Sequence, residues 1–135
     1  MHKPVFFKAY ELVPREIYQS KTEDEIFSMF SEGLLRAIDR LRQRLGTRIT
    51  INNWKNGGSF SQRGFRTYPK TGSQHCVGNA LDFDVSGMTA RQVRNYIKYH
   101  EKEFPEIKRM EDDVNWCHID GKEHNKCEGI YLFKP

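Results

Sequence analysis

Two aspartates, Asp82 and Asp84, fall on one face of the run Ala80-Leu81-Asp82-Phe83-Asp84-Val85. This run alternates apolar and polar in the manner of a short strand. Buried carboxylates are costly unless paired or coordinated, so two acids on such a strand call for a partner, and a cation is the commonest one. The stretch leading in, Ser73-Gln74-His75-Cys76-Val77-Gly78-Asn79, places a histidine, His75, seven residues before Asp82, with the small residues Gly78 and Ala80 between. The competing reading is a strand edge with two solvated aspartates and a satisfied histidine.

A second stretch bears on that choice. In Glu111-Asp112-Asp113-Val114-Asn115-Trp116-Cys117-His118-Ile119-Asp120, strand alternation puts Trp116, His118 and Asp120 on one face. An acidic cluster stands five to seven residues before His118. His75, Asp82 and His118 would supply three ligands from two strands and leave a fourth position open, which is the count of a catalytic zinc site. Hydrolysis would also need a general acid or base, and Glu111, Asp112 and Asp113 are the supply. Asp120 can orient a ligand imidazole. Trp116 either walls a substrate pocket or simply packs.

Bulk properties narrow the class. A chain of 135 residues suits one domain, 1–135, with a modest core. The hydrophobic share of 37% and the charged share of 30% fit a globular chain rather than a disordered one. No apolar run approaches the roughly 18 residues of a membrane span, and the N-terminus lacks a signal-peptide pattern. Synthesis in a cytoplasm and no membrane insertion are therefore expected. Three cysteines, Cys76, Cys117 and Cys127, make no disulfide framework, and the two beside the candidate ligands, Cys76 and Cys117, read as small packing residues. The net charge of +4 fits an anionic partner, cell wall or nucleic acid, without choosing between them.

Local patterns give the elements. Residues 5–20 read as a lead-in segment with a turn at Pro14. Thr22 and Glu25 form a capping-box pattern, followed by a helical stripe of Leu34, Ile38, Leu41 and Leu45 that ends at Gly46. Gly33 leaves one helix or two equally open, and the arginines between read as a solvated face. Residues 48–54 read as a strand. Residues 59–72 form a long polar loop with aromatics, a length often tied to function. Its Arg63 and Arg66 can fork onto a substrate carboxylate or phosphate, or be solvated. Thr89 and Gln92 cap another helix with Val93, Tyr96 and Ile97 inward. Residues 107–110 and 129–133 read as strands, and His124 and Cys127 as a spacing without a second pair. The order predicts an α+β fold, a small and mostly antiparallel sheet with helices on one side.

The run Ser73-x-His75-x-x-Gly78-x-Ala80-x-Asp82 resembles the Ser-x-His-x-x-Gly-x-Ala-x-Asp motif of the zinc D-Ala-D-Ala carboxypeptidase family. That family includes phage L-alanyl-D-glutamate endopeptidases and shares its fold with the hedgehog signalling domain. Trp116-x-His118-x-Asp120 is similar to its second segment, and the likeness spans roughly residues 7–133. It implies one zinc ion on His75, Asp82 and His118, and hydrolysis of a peptide bond in the stem or cross-bridge of peptidoglycan. It also implies a monomeric phage or prophage product, with Arg63, Arg66, Ser73 and Trp116 near the substrate. Such a product would be released to the wall or carried in a virion. One departure stands out: many members carry the catalytic carboxylate three residues before the third ligand, where this chain has Asn115. A hedgehog-like arrangement places it at Asp112 or its neighbour Glu111, and Glu111 is the first choice. The alternatives are a non-catalytic, zinc-stabilised binding module and, from net charge alone, a nucleic-acid-binding protein.

Overall fold

The computed structural model describes residues 1–68 and 72–135; Pro69, Lys70 and Thr71 of the expected long loop lie outside the described residues. Among the described residues, four α-helices run α1 (Arg15–Ser20), α2 (Glu23–Ser28), α3 (Glu32–Leu45) and α4 (Ala90–Tyr99). The five strands of the same residues are β1 (Ile49–Thr50), β2 (Ala80–Val85), β3 (Arg109–Glu111), β4 (Cys117–Asp120) and β5 (Tyr131–Phe133). They form one sheet in the order β1-β2-β4-β3-β5. Pairings β1–β2, β2–β4 and β3–β4 are antiparallel, and β3–β5 is parallel. The fold is thus α+β with a mixed sheet, antiparallel except at its last pair.

The caps follow from the side chains. Thr22 Oγ1 accepts from the Glu25 amide at 3.2 Å while the Glu25 carboxylate accepts from the Thr22 amide at 2.8 Å. Thr89 and Gln92 do the same for α4 at 3.1 and 2.9 Å. Each cap satisfies amides that a helix start leaves unpaired, worth about 1 kcal/mol. The helical stretch divides in two, and the break falls at Met29–Ser31 rather than at Gly33. Ser31 caps α3 through its Oγ, and its amide donates to the Gly78 carbonyl at 2.9 Å. Gly78 has φ 71° and sits so close that a Cβ would lie 1.9 Å from the Met29 carbonyl. Only glycine fits there, so this residue joins the helical layer to the turn that carries His75.

Other expectations need correction. The strand read over 48–54 shrinks to Ile49–Thr50, because Trp54–Asn56 turn into a short 3₁₀ helix. The lead-in segment contains α1, which Pro14 starts by taking the N-cap position. The arginine face of α3 is not simply solvated. Arg40 forks onto Glu106 at 2.8 and 3.0 Å, and Arg44 meets Glu103 at 3.0 Å.

One core unites helices and sheet. Leu81, Phe83, Met110, Cys117 and Ile119 alternate onto one sheet face, where they cluster with Leu34, Leu35, Ile38 and Leu41 of α3 and Val93 and Ile97 of α4. The other face carries Asp82, His118 and Asp120. Among the described residues no helix is long and apolar enough to cross a membrane.

Candidate metal centre

The sheet register brings the two sequence stretches together. Asp82 pairs with His118 across β2–β4, and Ala80 pairs with Asp120. Directly opposed residues in an antiparallel pair share a face, so the small Ala80 leaves room beside Asp120. His75 comes from the short 3₁₀ helix Gln74–Val77 that feeds β2 through Gly78. His75, Asp82 and His118 are all buried, and each offers a ligand atom within 4.8 Å of the others. Two of these separations are well below that limit: His118 Nδ1 is 2.7 Å and His75 Nε2 is 3.3 Å from Asp82 Oδ1.

Each imidazole is oriented by what its other nitrogen touches. His75 Nδ1 lies 2.9 Å from the Gly64 carbonyl, which can only accept, so that nitrogen carries the proton. Its Nε2 is buried without a hydrogen-bond partner. A buried, unpartnered nitrogen facing a carboxylate beside a second imidazole is what a cation ligand needs before the cation arrives. His118 donates from Nε2 to Asp120 Oδ2 at 2.7 Å and from Nδ1 to Asp82 Oδ1 at 2.7 Å. Burial alone would lower its pKa, but hydrogen bonds to Asp120 and Asp82 outweigh it and push the imidazole up to about 9. Burial likewise raises Asp82, and the two histidines more than reverse it, holding its carboxyl well below the usual range. A metal with bonds of about 2 Å needs donors roughly 3.3 Å apart, and two imidazoles with one carboxylate form a recognised metal-ligating set. The trio could hold a metal ion, without being specific to one element.

Support extends outward through residues that the sequence did not single out for it. Arg109 forks onto Asp120, Nε to Oδ1 at 3.0 Å and Nη2 to Oδ2 at 2.8 Å. Burial raises Asp120, and His118 with Arg109 brings it below the ordinary value. Phe133 lies edge-on to the His118 ring at 5.5 Å, with the Arg109 guanidinium 4.3 Å over its own face. Both contacts depend on β3 lying beside β4 and β5 beside β3, so no spacing in the sequence could indicate them. Gly64 is the other addition: a Cβ there would lie 2.1 Å from the Leu12 carbonyl.

The remaining expected residues divide. Arg66 Nη2 donates to Asp82 Oδ2 at 3.0 Å, so it touches a candidate ligand directly. Arg63 forks onto Asp84 at 2.9 and 3.1 Å, with its guanidinium 4.2 Å over the Phe60 ring. Ser73 stands half-buried at the start of the His75 turn, where its carbonyl accepts from the Cys76 amide. Trp116 is exposed and lines a cleft of about 390 Å³ with Phe60, Arg63, Asp82, Asp84 and Asn115. Glu111 and Asp112 point to different sides. Glu111 shares by strand alternation the face of Arg109, which forks onto Asp120, and so lies on the face of the trio. Asp112 alternates to the α4 side, near Arg94 at 3.6 Å and Lys134 at 3.5 Å. The Asp113 amide leads in keeping its carboxyl below the ordinary value.

Cys117 faces away from the trio, its thiol pushed by burial up to about 12, as a packing residue would be. The three cysteines are free. Compared with known proteins, the chain matches no family model, no curated protein and no solved structure.

Proposed function

We propose that this chain is a zinc-dependent peptidase that hydrolyses a peptide bond in bacterial peptidoglycan. The observation that supports it most is the buried His75–Asp82–His118 trio, with the His75 Nε2 unpartnered and a solvent-open cleft reaching Asp82. The substrate class rests on the resemblance of the Ser73–Asp82 and Trp116–Asp120 segments.

Zinc, when bound, supplies a Lewis acid that polarises a carbonyl and brings the pKa of water to about 7. The chain does the rest. Asp120, fixed by Arg109, holds His118 through Nε2, so that Nδ1, on giving up the proton it donates to Asp82, would be the nitrogen to hold the ion. The Gly64 carbonyl does the same for His75 from the opposite nitrogen. Arg66 offsets the charge of Asp82 at the oxygen turned from the imidazoles. Glu111, on the strand face of Arg109, is the carboxylate that would take a proton from water and return it to the leaving nitrogen. Phe60 and Trp116 wall the cleft along which the substrate peptide would lie.

The test is mass spectrometry of peptidoglycan fragments released by the purified protein, used as made, chelated, and chelated then resupplied with zinc. New stem-peptide or cross-bridge fragments that vanish on chelation and return with zinc are expected, and their masses name the bond. Stoichiometric zinc with no fragments from several wall types would reject the peptidase and leave a zinc-stabilised binding module.

A further inference from the structure

The segment 62–66 supplies three supports of the trio and has no regular secondary structure of its own. Its Gly64 carbonyl holds His75, its Arg66 guanidinium holds Asp82, and its Arg63 carbonyl accepts from the Asp82 amide at 2.7 Å. Such a segment orients ligands only if it is itself fixed. Toward Leu12 and Asn52 it is fixed by hydrogen bonds and close packing. The Phe65 amide donates to the Leu12 carbonyl at 2.9 Å, and Gly64 presses on the same carbonyl. The Arg63 amide donates to Asn52 Oδ1 at 3.0 Å.

Toward β2 a side-chain tie adds to the backbone bond from the Asp82 amide. Arg63 reaches Asp84, two residues beyond Asp82 on the same face of β2, with both terminal nitrogens of its guanidinium. The arginine side chain is 11% exposed and the aspartate 50%, so the fork closes over the segment from the solvent side. Phe60 stacks beneath the guanidinium and limits its freedom. A two-point fork fixes orientation as well as distance, which a single point charge cannot do.

We propose that the Arg63–Asp84 fork is a clamp that locks the 62–66 segment onto β2 and so preorganises His75 and Asp82 for the metal ion. Arg63 and Asp84 are then positioning residues, and Arg63 is not a free hand for a substrate carboxylate. The clamp rests on the metal-binding reading above. With the clamp open, the Gly64 carbonyl leaves His75 Nδ1 for part of the time, and apparent affinity falls with the fraction of chains in the competent arrangement. Loss of groups that orient metal ligands typically weakens binding about 10- to 100-fold.

The experiment is zinc affinity of the full chain by competition with a chromophoric chelator, for wild type, Asp84→Asn and Arg63→Lys. Imidazole nitrogen NMR of His75 and thermal melts are recorded on the same metal-free samples. Asp84→Asn keeps the shape and removes the charge, and Arg63→Lys keeps the charge and removes the fork. Both are expected to weaken zinc binding about 10- to 100-fold and to mix the His75 tautomers, with the metal-free melt within about 5 °C of wild type. If Asp84→Asn does not fold, Arg63→Lys carries the same comparison. Wild-type affinity in the variants, with His75 still protonated only at Nδ1, would overturn the clamp and leave the metal site standing. A wild-type chain that takes up no zinc would overturn both.

Discussion

His118 is held between two carboxylates, 2.7 Å on either side, and this fixes how it responds to substitution and to pH. Three protein ligands leave little redundancy. His75→Ala, Asp82→Ala and His118→Ala should therefore each weaken metal binding at least about 100-fold, beyond what loss of an orienting group costs; equilibrium dialysis with metal analysis checks this. Retained stoichiometric metal in any of them would remove that residue from the site. The pH response concerns the metal-free chain. The His118 imidazole rises from 6.5 to about 9 on folding, so the folded state binds its proton more tightly than the unfolded state. That contribution is fully present below pH 6.5 and is lost as pH climbs through about 9. Melting temperature in chelator should fall over this window, and a flat profile there would refute the assignment. Asp82 and Asp120 act at the other end. Their carboxyls are held below the ordinary 3.8, so their contribution is present above it and lost as pH falls further.

At the scale of elements, Asp82 and His118 pair across β2 and β4, Glu111 and Phe133 pair across β3 and β5, and the four side chains share one face. Such a shared face exists because β4 sits between β2 and β3, with side chains repeating every second residue. It separates the two candidate carboxylates by one residue, hence by one face. Glu111→Gln should keep the metal and lower kcat by about 100-fold or more, the usual worth of a positioned acid–base group. Asp112→Asn should leave kcat close to wild type, because Asp112 is occupied with Arg94 and Lys134. Steady-state kinetics on a purified stem peptide decides it, and the reverse pattern would move the proton-transfer role to Asp112 with the ligands unchanged.

Over the whole molecule, the centre ties together parts that are distant in the chain. Hydrogen bonds link residue 12 to 65, 52 to 63, 64 to 75 and 82 to 118 around one trio. A metal that binds only the folded chain stabilises it by mass action, about 4 kcal/mol at a free concentration 1,000 times Kd. Zinc should thus raise the melting temperature by many degrees, and chelator should reverse it; scanning calorimetry with and without zinc reads the shift. Local features could be read from neighbouring residues. Capping boxes at Thr22 and Thr89, the apolar stripes of α3 and α4, and the alternation in β2 and β4 are short-range patterns. The spacing of His75 and Asp82 was legible for the same reason, since a turn and a strand start follow directly from Gly78 and Ala80. Tertiary structure alone decided the rest. Whether 48–54 stayed extended depended on Trp54 donating to the Val13 carbonyl at 2.9 Å, a contact 41 residues apart. The parallel place of β5, the Arg109 fork on Asp120 and the diversion of Arg63 onto Asp84 are contacts between elements. No periodicity in a single chain encodes them, because they depend on which strands become neighbours once the shared core closes.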